Sequence, residues 1–548
     1  MLDLANIEQK NLRAFYERRH PHYADLEAHW RFVDATYKGG RKWFSKNIFR
    51  YMKEGEKEFA DRLDRAYRFN HTREVVELVQ KYLFKGSVKR NLDEAPEPLK
   101  EFWTRTSLSG MPIEQFMRLV STTNSIFGRV AVVVDNNYKV SGLTTEENRP
   151  LSEEEAKTLD TRVYAYVVQA PDILDYAWDE DGDGELLWVK LRETYRDDSD
   201  PLHSSGLVME RIRLWTRSHW YVFEEIEVDD AQSTDGKVVL AANGSASLKR
   251  KREVRVTDQG EHGLGFVPVR FADHIAAENP YSAPGLIDDI AYLDRAVANY
   301  LSNLDAIIQD QTFSQLAIPA QALQPGEDQY TKILEMGTKR IFVYDAGSGA
   351  TARPGYISPD PKQAGVIIMV INKIINEIYH TIGLAGERTK EDNAVGIDNS
   401  SGVAKAYDFE RVNSLLFGKG KSCETLENWM ARTVMAWHQK DLDENLVSYP
   451  ATYDIARLAD ELANAEALKK IEAPAELRRQ QMRQVVEKIF PQLKEDIREK
   501  ILADIESWLE AAPPPESDDN SNPDGNGPDD DDSAVEPPRQ GQVTADTD

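Results

Sequence analysis

The chain has 548 residues, of which 41% are hydrophobic and 29% charged, and it contains one cysteine, Cys423. These values indicate a globular protein of roughly two to four domains, and they exclude an intramolecular disulfide framework and any zinc site built from several cysteines. The net charge of −27 excludes DNA binding by general electrostatic attraction, because that attraction needs a basic surface.

A membrane protein is not expected. The N-terminus, MLDLANIEQK, lacks the basic start and apolar centre of a signal peptide. The longest uninterrupted apolar run, Val366 to Ile371, is too short to cross a bilayer. We therefore expect a protein that is made and kept in the cytoplasm and has no membrane partner.

The first forty residues predict two helices, interrupted at Pro21 and ended by Gly39-Gly40. The basic and aromatic segment 41–53 is compatible with a nucleic-acid surface, but an amphipathic segment whose cations cover apolar neighbours is the favoured interpretation. Helices are predicted over 72–85 and 112–127, and the second leads through Gly128 into a strand.

From Arg162 to about Phe271 the pattern has a period of two, which predicts an antiparallel sheet of hairpins within an α+β body. The predicted strands are Val163 to Val168, Leu186 to Tyr195, Ile212 to Ile226, Lys237 to Ala241 and Glu253 to Val256.

Three short motifs resemble functional sites. Asp179 to Gly184 matches the start of a calcium-binding EF-hand loop, but Lys190 stands where the bidentate Glu is required, so an acidic hairpin turn is predicted. Lys249 to Arg252 resembles a nuclear import signal and is interpreted as a charged edge strand. Gly420-Lys421-Ser422 resembles the end of a P-loop, but Leu415 replaces the required glycine within a helical pattern.

No catalytic motif is found. The chain has no G-x-S-x-G, no H-E-x-x-H and no G-x-G-x-x-G after a strand, and its ten histidines show no metal-ligand spacing. We predict no catalytic residues, no metal site, no cofactor and no enzymatic activity.

Two long apolar helices organise the middle of the chain. The first runs from Gly285 to about Phe313, and the second from about Lys362 to Leu384. Each is roughly 35 Å long, and the intervening segment, with a strand-like Arg340 to Tyr344, is long enough for a small lobe. The pattern predicts a stalk of two packed helices. Its packing residues are Leu286, Ile290, Leu293, Val297, Tyr300, Leu304, Ile307, Ile371, Ile374 and Ile378.

A charged loop, Ala385 to Asn399, follows the second helix and is expected to be exposed and mobile. A long helix from Ser400 to Trp437 comes next, with a kink expected at Gly418 and Gly420. A further helical set spans about 453–512, and the tail 513–548 is acidic and predicted to be disordered.

Several short sequence segments occur along these predicted elements. They are Asn70-His71-Thr72, Gly128, Gly265-Phe266-Val267-Pro268-Val269, Gly383-Leu384 and Ser401-Gly402-Val403-Ala404-Lys405. Their order and spacing over roughly residues 1 to 510 resembles the portal proteins of tailed double-stranded DNA bacteriophages, of the siphovirus type.

The resemblance implies an α+β portal fold with a wing (1–284), a first stem helix (285–313), an α/β clip (314–358) and a second stem helix (359–384). A tunnel loop (385–399), a long kinked wing helix (400–445), a helical crown (446–512) and the acidic tail (513–548) complete it. The tunnel-loop residues expected to face DNA are Arg388, Lys390, Glu391, Asp392 and Asn393.

The same resemblance implies a homo-oligomeric ring, typically of twelve subunits, at one capsid vertex. Its expected partners are the terminase motor, head-completion or adaptor and tail proteins, the major capsid and scaffolding proteins, and double-stranded DNA passing through the channel. The expected location is the virion, after assembly in the host cytoplasm.

Two alternatives stay open. A DNA-processing enzyme of the packaging machinery, either a nuclease or an NTPase, is one, although the absence of a P-loop weighs against an NTPase. Another head-to-tail connector ring or minor capsid protein is the second, and the helix–lobe–helix insert fits it less well.

Overall fold

The computed structural model describes residues 7–52, 54–86, 88–137, 162–179, 184–229, 250–275, 281–312, 315–319, 341–344, 355–357, 362–383, 402–450, 453, 465–466, 468, 470, 474–489 and 495–508. The chain divides into two compact units, Met1–Asp454 and Ile455–Asp548. None of the described helices is both long and apolar enough to cross a membrane.

The first unit contains ten of the described helices. They are α1 (Gln9–Glu17), α2 (Tyr23–Lys38), α3 (Arg41–Asn47), α4 (Glu56–Arg65), α5 (His71–Leu83), α6 (Glu97–Thr104), α7 (Ile113–Phe127), α8 (Ile290–Thr312), α9 (Lys362–Thr381) and α10 (Gly402–Trp437). The second unit contains α11 (Ala475–Ile489) and α12 (Glu495–Trp508).

All described strands belong to the first unit. They are β1 (Lys89–Arg90), β2 (Arg129–Asn136), β3 (Val163–Gln169), β4 (Ile173–Trp178), β5 (Leu186–Arg196), β6 (Val208–Thr216), β7 (His219–Asp229), β8 (Arg250–Glu261), β9 (Val269–Asp273), β10 (Gln315–Pro319), β11 (Ile341–Tyr344), β12 (Gly355–Ile357) and β13 (Val447–Ser448).

Most of the predicted sheet of hairpins is a five-stranded antiparallel sheet in the order β4-β5-β6-β7-β8, but the first predicted strand, Val163 to Val168, lies in β3, which pairs with β2 in another sheet. The segment predicted as one strand, Ile212 to Ile226, is in fact the end of β6 and most of β7, joined at Arg217 and Ser218. The Thr216 hydroxyl closes this turn, because it accepts a hydrogen bond from the backbone N–H of His219 at 2.9 Å. The predicted strand Lys237 to Ala241 lies outside the described residues.

Two of the rejected motifs fall in this sheet. Strand β8, which begins at Arg250, is an edge strand, as the charge pattern predicted. Lys190 is fully buried in β5, and its ammonium donates hydrogen bonds to the carbonyls of Tyr16 (3.1 Å) and Arg18 (2.7 Å) at the end of α1. Lys190 therefore holds α1 against the sheet, since it donates to carbonyls that have no partner within the helix at its C-terminal end.

A second antiparallel sheet has the order β3-β2-β9. The apolar residues of β2 are buried on both faces: Val130, Val132 and Val134 join the largest core cluster, while Ala131 and Val133 join the core against the five-stranded sheet. This explains why β2 is a continuous apolar run rather than an alternating one.

The basic segment after Gly40 is structural in part. Trp43 and Phe44 of α3 are buried, and the Arg41 guanidinium donates a hydrogen bond to the carbonyl of Ala66 at 2.9 Å. The interpretation as an amphipathic segment holds for these residues.

Helix α10 packs against α5, α6, α7, β2, β9 and β13, and so closes the largest core. It runs through Gly418 and Gly420 without a break. Gly420 allows a close approach, because a Cβ atom there would lie 2.0 Å from the Tyr453 hydroxyl oxygen. Cys423 of this helix is buried, as expected of a small apolar residue.

The segment between α8 and α9 contains a three-stranded sheet in the order β11-β10-β12. Strand β11 matches the strand predicted from Arg340 to Tyr344. Leu446, Val447 and Tyr453 are buried in the core of the first unit, which ends at Asp454.

Candidate functional site: the helix pair and its base

Helices α8 and α9, here called the helix pair, pack on each other along one side. Buried in their common core are Ile290, Val297, Leu301 and Leu304 of α8 and Ile371, Ile375, Ile378, Tyr379 and Ile382 of α9 or just after it. Of the predicted packing residues, Leu286, Leu293, Tyr300 and Ile374 are half-buried against that core, and Ile307 is half-buried. The sequence did not predict the burial of Leu301, Ile375 and Tyr379.

The base of the helix pair, residues 281–289 with the α7–β2 junction, is a close backbone crossing. Gly128 has φ +79°, and a Cβ atom there would lie 1.8 Å from the carbonyl oxygen of Ala283. The backbone N–H of Leu286 donates to the carbonyl of Ser125 at 2.9 Å. The crossing therefore requires glycine at position 128, for its φ angle and for its missing side chain.

A buried carboxylate fixes α8 to the N-terminus of α5. Asp294 is fully buried and accepts hydrogen bonds from the backbone N–H (3.2 Å) and hydroxyl (2.7 Å) of Thr72. His71 Nδ1 and the Arg68 guanidinium lie 3.4 and 3.6 Å from the same carboxylate. The pKa of Arg68 is lowered, because burial disfavours its charge more than Asp294 favours it.

The segment Asn70-His71-Thr72 thus has a structural role. The Asn70 side chain caps α5 by accepting from the backbone N–H of Arg73 at 3.1 Å. The next two residues contact Asp294, so one short segment both starts α5 and anchors α8.

A buried lysine ties α10 to the same junction. The Lys419 ammonium donates to Asn124 Oδ1 at 2.7 Å and Ser125 Oγ at 2.8 Å, and it lies 2.8 Å from His274 Nδ1. Burial lowers the pKa of Lys419 from 10.5 to about 7 and holds the pKa of His274 well below its usual range. Neutral His274 then accepts through Nδ1.

The returning helix is also held by the body. The Tyr379 hydroxyl donates to Glu74 Oε2 at 2.5 Å, and its ring meets His71 edge to face. The start of α8 and the end of α9 therefore both contact α5, so the two helices lead away from the body and return to it.

The outer part of the helix pair is different. Side chains of Val366 and Met369 on α9 are 56% and 66% exposed, and Ile368 and Ile308 are also exposed. On a single chain these apolar side chains face water, which is typical of a surface that another protein covers.

A cavity of about 430 Å³ lies beside the base. Its wall includes His20, His22, His29, Trp30, Arg129, Tyr176, Tyr281 and Asp288. The Arg129 guanidinium is paired with both Asp273 oxygens at 2.7 Å, and His29 Nε2 lies 3.0 Å from Asp288. These ion pairs hold the base of the helix pair against the rest of the first unit. They do not form an activated nucleophile.

The predicted tunnel-loop residues, Arg388, Lys390, Glu391, Asp392 and Asn393, lie outside the described residues. Within the described part of the chain, no group of three or more His, Cys, Asp or Glu residues is placed to hold a metal ion. The absence of an active site stays a prediction.

No protein-family model matches this chain, and no curated protein matches it. Among solved structures, it is similar to a chain of one described as "Neck of empty GTA particle computed with C6 symmetry", over 72% of this chain and 84% of that chain. The identity is 8% and the TM-score is 0.34, which is too low to transfer a fold or a function.

Proposed function

We propose that this chain is the subunit of a bacteriophage portal, a ring at one capsid vertex through which double-stranded DNA is packaged and ejected. The supporting observation is the contrast within the helix pair: its base is fixed in the core of the first unit, while Val366 and Met369 farther out are exposed. In a closed ring each subunit meets two neighbours through different faces, so such side chains become buried.

In this proposal the helix pair is the stem, the sheet β11-β10-β12 belongs to the clip that meets adaptor and tail proteins, and α11 and α12 belong to the crown. The terminase docks on the ring during packaging, and scaffolding and major capsid proteins surround it. The ring has about twelve subunits, as the family resemblance implies.

The acidic composition agrees with a channel that does not bind DNA tightly. With a net charge of −27, most of the surface repels phosphate, and local cations such as Arg388 and Lys390 would be the DNA contacts. We expect Arg388→Ala with Lys390→Ala to reduce DNA packaging and retention. A matched variant, Glu391→Gln with Asp392→Asn, should not reduce them; unaltered packaging and retention in the first variant would refute the assignment.

Electron microscopy of the purified chain tests the proposal most directly. We expect rings with a central hole, and we expect Val366→Glu with Met369→Glu to abolish them, because charge cannot be buried between neighbours without a partner. Lys373→Gln, at an exposed polar position of the same helix, is the control and should leave the rings intact. A wild-type chain that is monomeric at all concentrations would overturn the proposal.

A further inference from the structure

The outer part of the β5–β6 hairpin, residues 194–210, projects from the body and is here called the hairpin arm. Apart from Asp197 and Ser204, which are half-buried, all its residues are exposed. The same two strands are buried closer to the body, at Leu191 and Ile212. At ~3.3 Å per residue the arm extends on the order of 20 Å.

The tip of the arm is ordered by its own hydrogen bonds. Asp197 Oδ2 accepts from the backbone N–H (2.9 Å) and hydroxyl (2.7 Å) of Ser205. Asp200 Oδ1 accepts from the backbone N–H of Leu202 at 2.8 Å, and its second oxygen lies 2.7 Å from His203 Nδ1. These hydrogen bonds lower the pKa of both carboxyls and fix a turn on which Leu202 is 86% exposed.

One face of the arm carries three apolar side chains, and the Arg211 guanidinium lies over one of them, 5.4 Å from the centroid of the Tyr195 ring. Tyr195 and Met209 are directly opposite in the register, and Leu207 lies two residues from Met209, so the three side chains share a face. Leu207 is 64% exposed, and Tyr195 and Met209 are exposed as well. This set, Tyr195, Leu207 and Met209, is called the arm face. The other face has the pair Arg196 and Val208.

We propose that the arm face binds a second copy of this chain, the adjacent subunit, an inference that rests on the proposed ring. The first reason is area. Three side chains and Leu202 bury on the order of 400 Å², well below the ~800 Å² per partner of a standard stable interface. A contact of this size cannot by itself bind a freely diffusing protein. It can strengthen the binding of a protein that other contacts already hold beside it.

The second reason is charge. Two copies with a net charge of −27 repel each other, so contacts between them favour apolar side chains such as Leu207 and Met209 over carboxylates. The ordered turn adds to the contact, because a pre-formed tip loses little conformational freedom when a neighbour covers it.

Photo-crosslinking of the full chain tests the contact. Met209→Cys, labelled with benzophenone-maleimide, is compared with Val208→Cys on the opposite face, while the native Cys423 is buried and does not compete. We expect adducts at multiples of the chain mass from position 209 and at least fivefold fewer from position 208. Adducts only within one chain, or to the capsid protein in assembled particles, would overturn the inference.

A second measurement separates this inference from the ring itself. Leu207→Ser with Met209→Ser should raise the protein concentration at which rings half-dissociate by about tenfold relative to Val208→Ser. Equal values for the two variants would overturn the arm contact and leave the ring standing. A wild-type chain that forms no ring would overturn both proposals.

Discussion

The base and the outer part of the helix pair differ in what their side chains contact. At the base, Gly128, Asp294 and Lys419 each contact partners far away in the same chain. Farther out, Val366 and Met369 are exposed on the single chain. Contacts within the chain therefore determine the base, whereas the outer part leaves apolar side chains for the neighbours of the proposed ring. Substitutions at the base should therefore change stability, and substitutions farther out should change assembly.

The largest loss of stability is expected at the backbone crossing. Gly128→Ala places a Cβ atom 1.8 Å from the Ala283 carbonyl oxygen at a φ of +79°, so we expect the free energy of unfolding to fall by about 3 kcal/mol or more. Urea denaturation measures the loss.

Gly265→Ala is the matched control for this variant, because Gly265 has a φ of +76° but no atom within 4 Å of an added Cβ. It should cost only about 1 kcal/mol. Equal losses for the two variants would mean that the crossing is not tightly packed.

A smaller but clear loss is expected for Asp294→Asn. Both donors of Thr72 bind one oxygen, Oδ2, so an amide oxygen can still accept from them, but these hydrogen bonds lose their charged acceptor and Arg68 loses its buried counter-charge. We expect a loss of about 2–4 kcal/mol in unfolding free energy. Thermal unfolding of Asp289→Asn, an exposed position nearby, provides the comparison and should stay close to wild type.

Lys419 should make stability depend on pH. Its pKa in the folded chain is lowered to about 7, so between pH 7 and 10.5 the unfolded chain binds a proton that the folded chain does not. The free energy of unfolding therefore rises with pH in that window, by up to about 1.4 kcal/mol per pH unit.

Lys419→Met should remove this part of the slope between pH 7 and 9, whereas Lys421→Met, at an exposed position of the same helix, should keep it. Lys190, whose pKa is also lowered to about 7 by burial, contributes the same slope in both variants. Parallel pH profiles for the two variants would show that Lys419 stays charged in the folded chain up to pH 9.

The smallest change in stability is expected farther out. Val366→Ser with Met369→Ser removes exposed apolar groups, so the unfolding free energy of the isolated chain should change by less than about 0.5 kcal/mol. Sedimentation should nevertheless show fewer rings at equal concentration. A variant that is strongly destabilised yet assembles normally would reverse the proposed division of roles.

The sequence predicted the helix pair well because a regular 4,3 spacing of apolar residues determines which side of a helix is buried. It missed Ile375 and Tyr379 because neighbouring residues in the same helical turn are also apolar. The packing of the partner helix determines which of these residues are buried. The prediction of a single strand from Ile212 to Ile226 was wrong. The turn residues Arg217 and Ser218 include no Gly, Pro or Asn, which are the residue types that usually indicate a turn.

The buried charges could not be predicted. In the sequence, Asp294 is one polar residue within an apolar helix. Its hydrogen-bond partner, Thr72, is 222 residues away. Lys419 lies between two glycines and finds Asn124 at a separation of 295 residues. Local patterns show which face of an element is apolar, but they do not show which distant donor meets a buried acceptor.

The position of α10 in the chain has a consequence for synthesis. This helix packs on α5, α7 and β2, which leave the ribosome more than two hundred residues earlier, and the helix pair is made in between. Until it arrives, apolar surface of α5, α7 and β2 is uncovered in the nascent polypeptide. Such long-range closure predicts slow maturation, and newly made subunits would depend on chaperones during that interval.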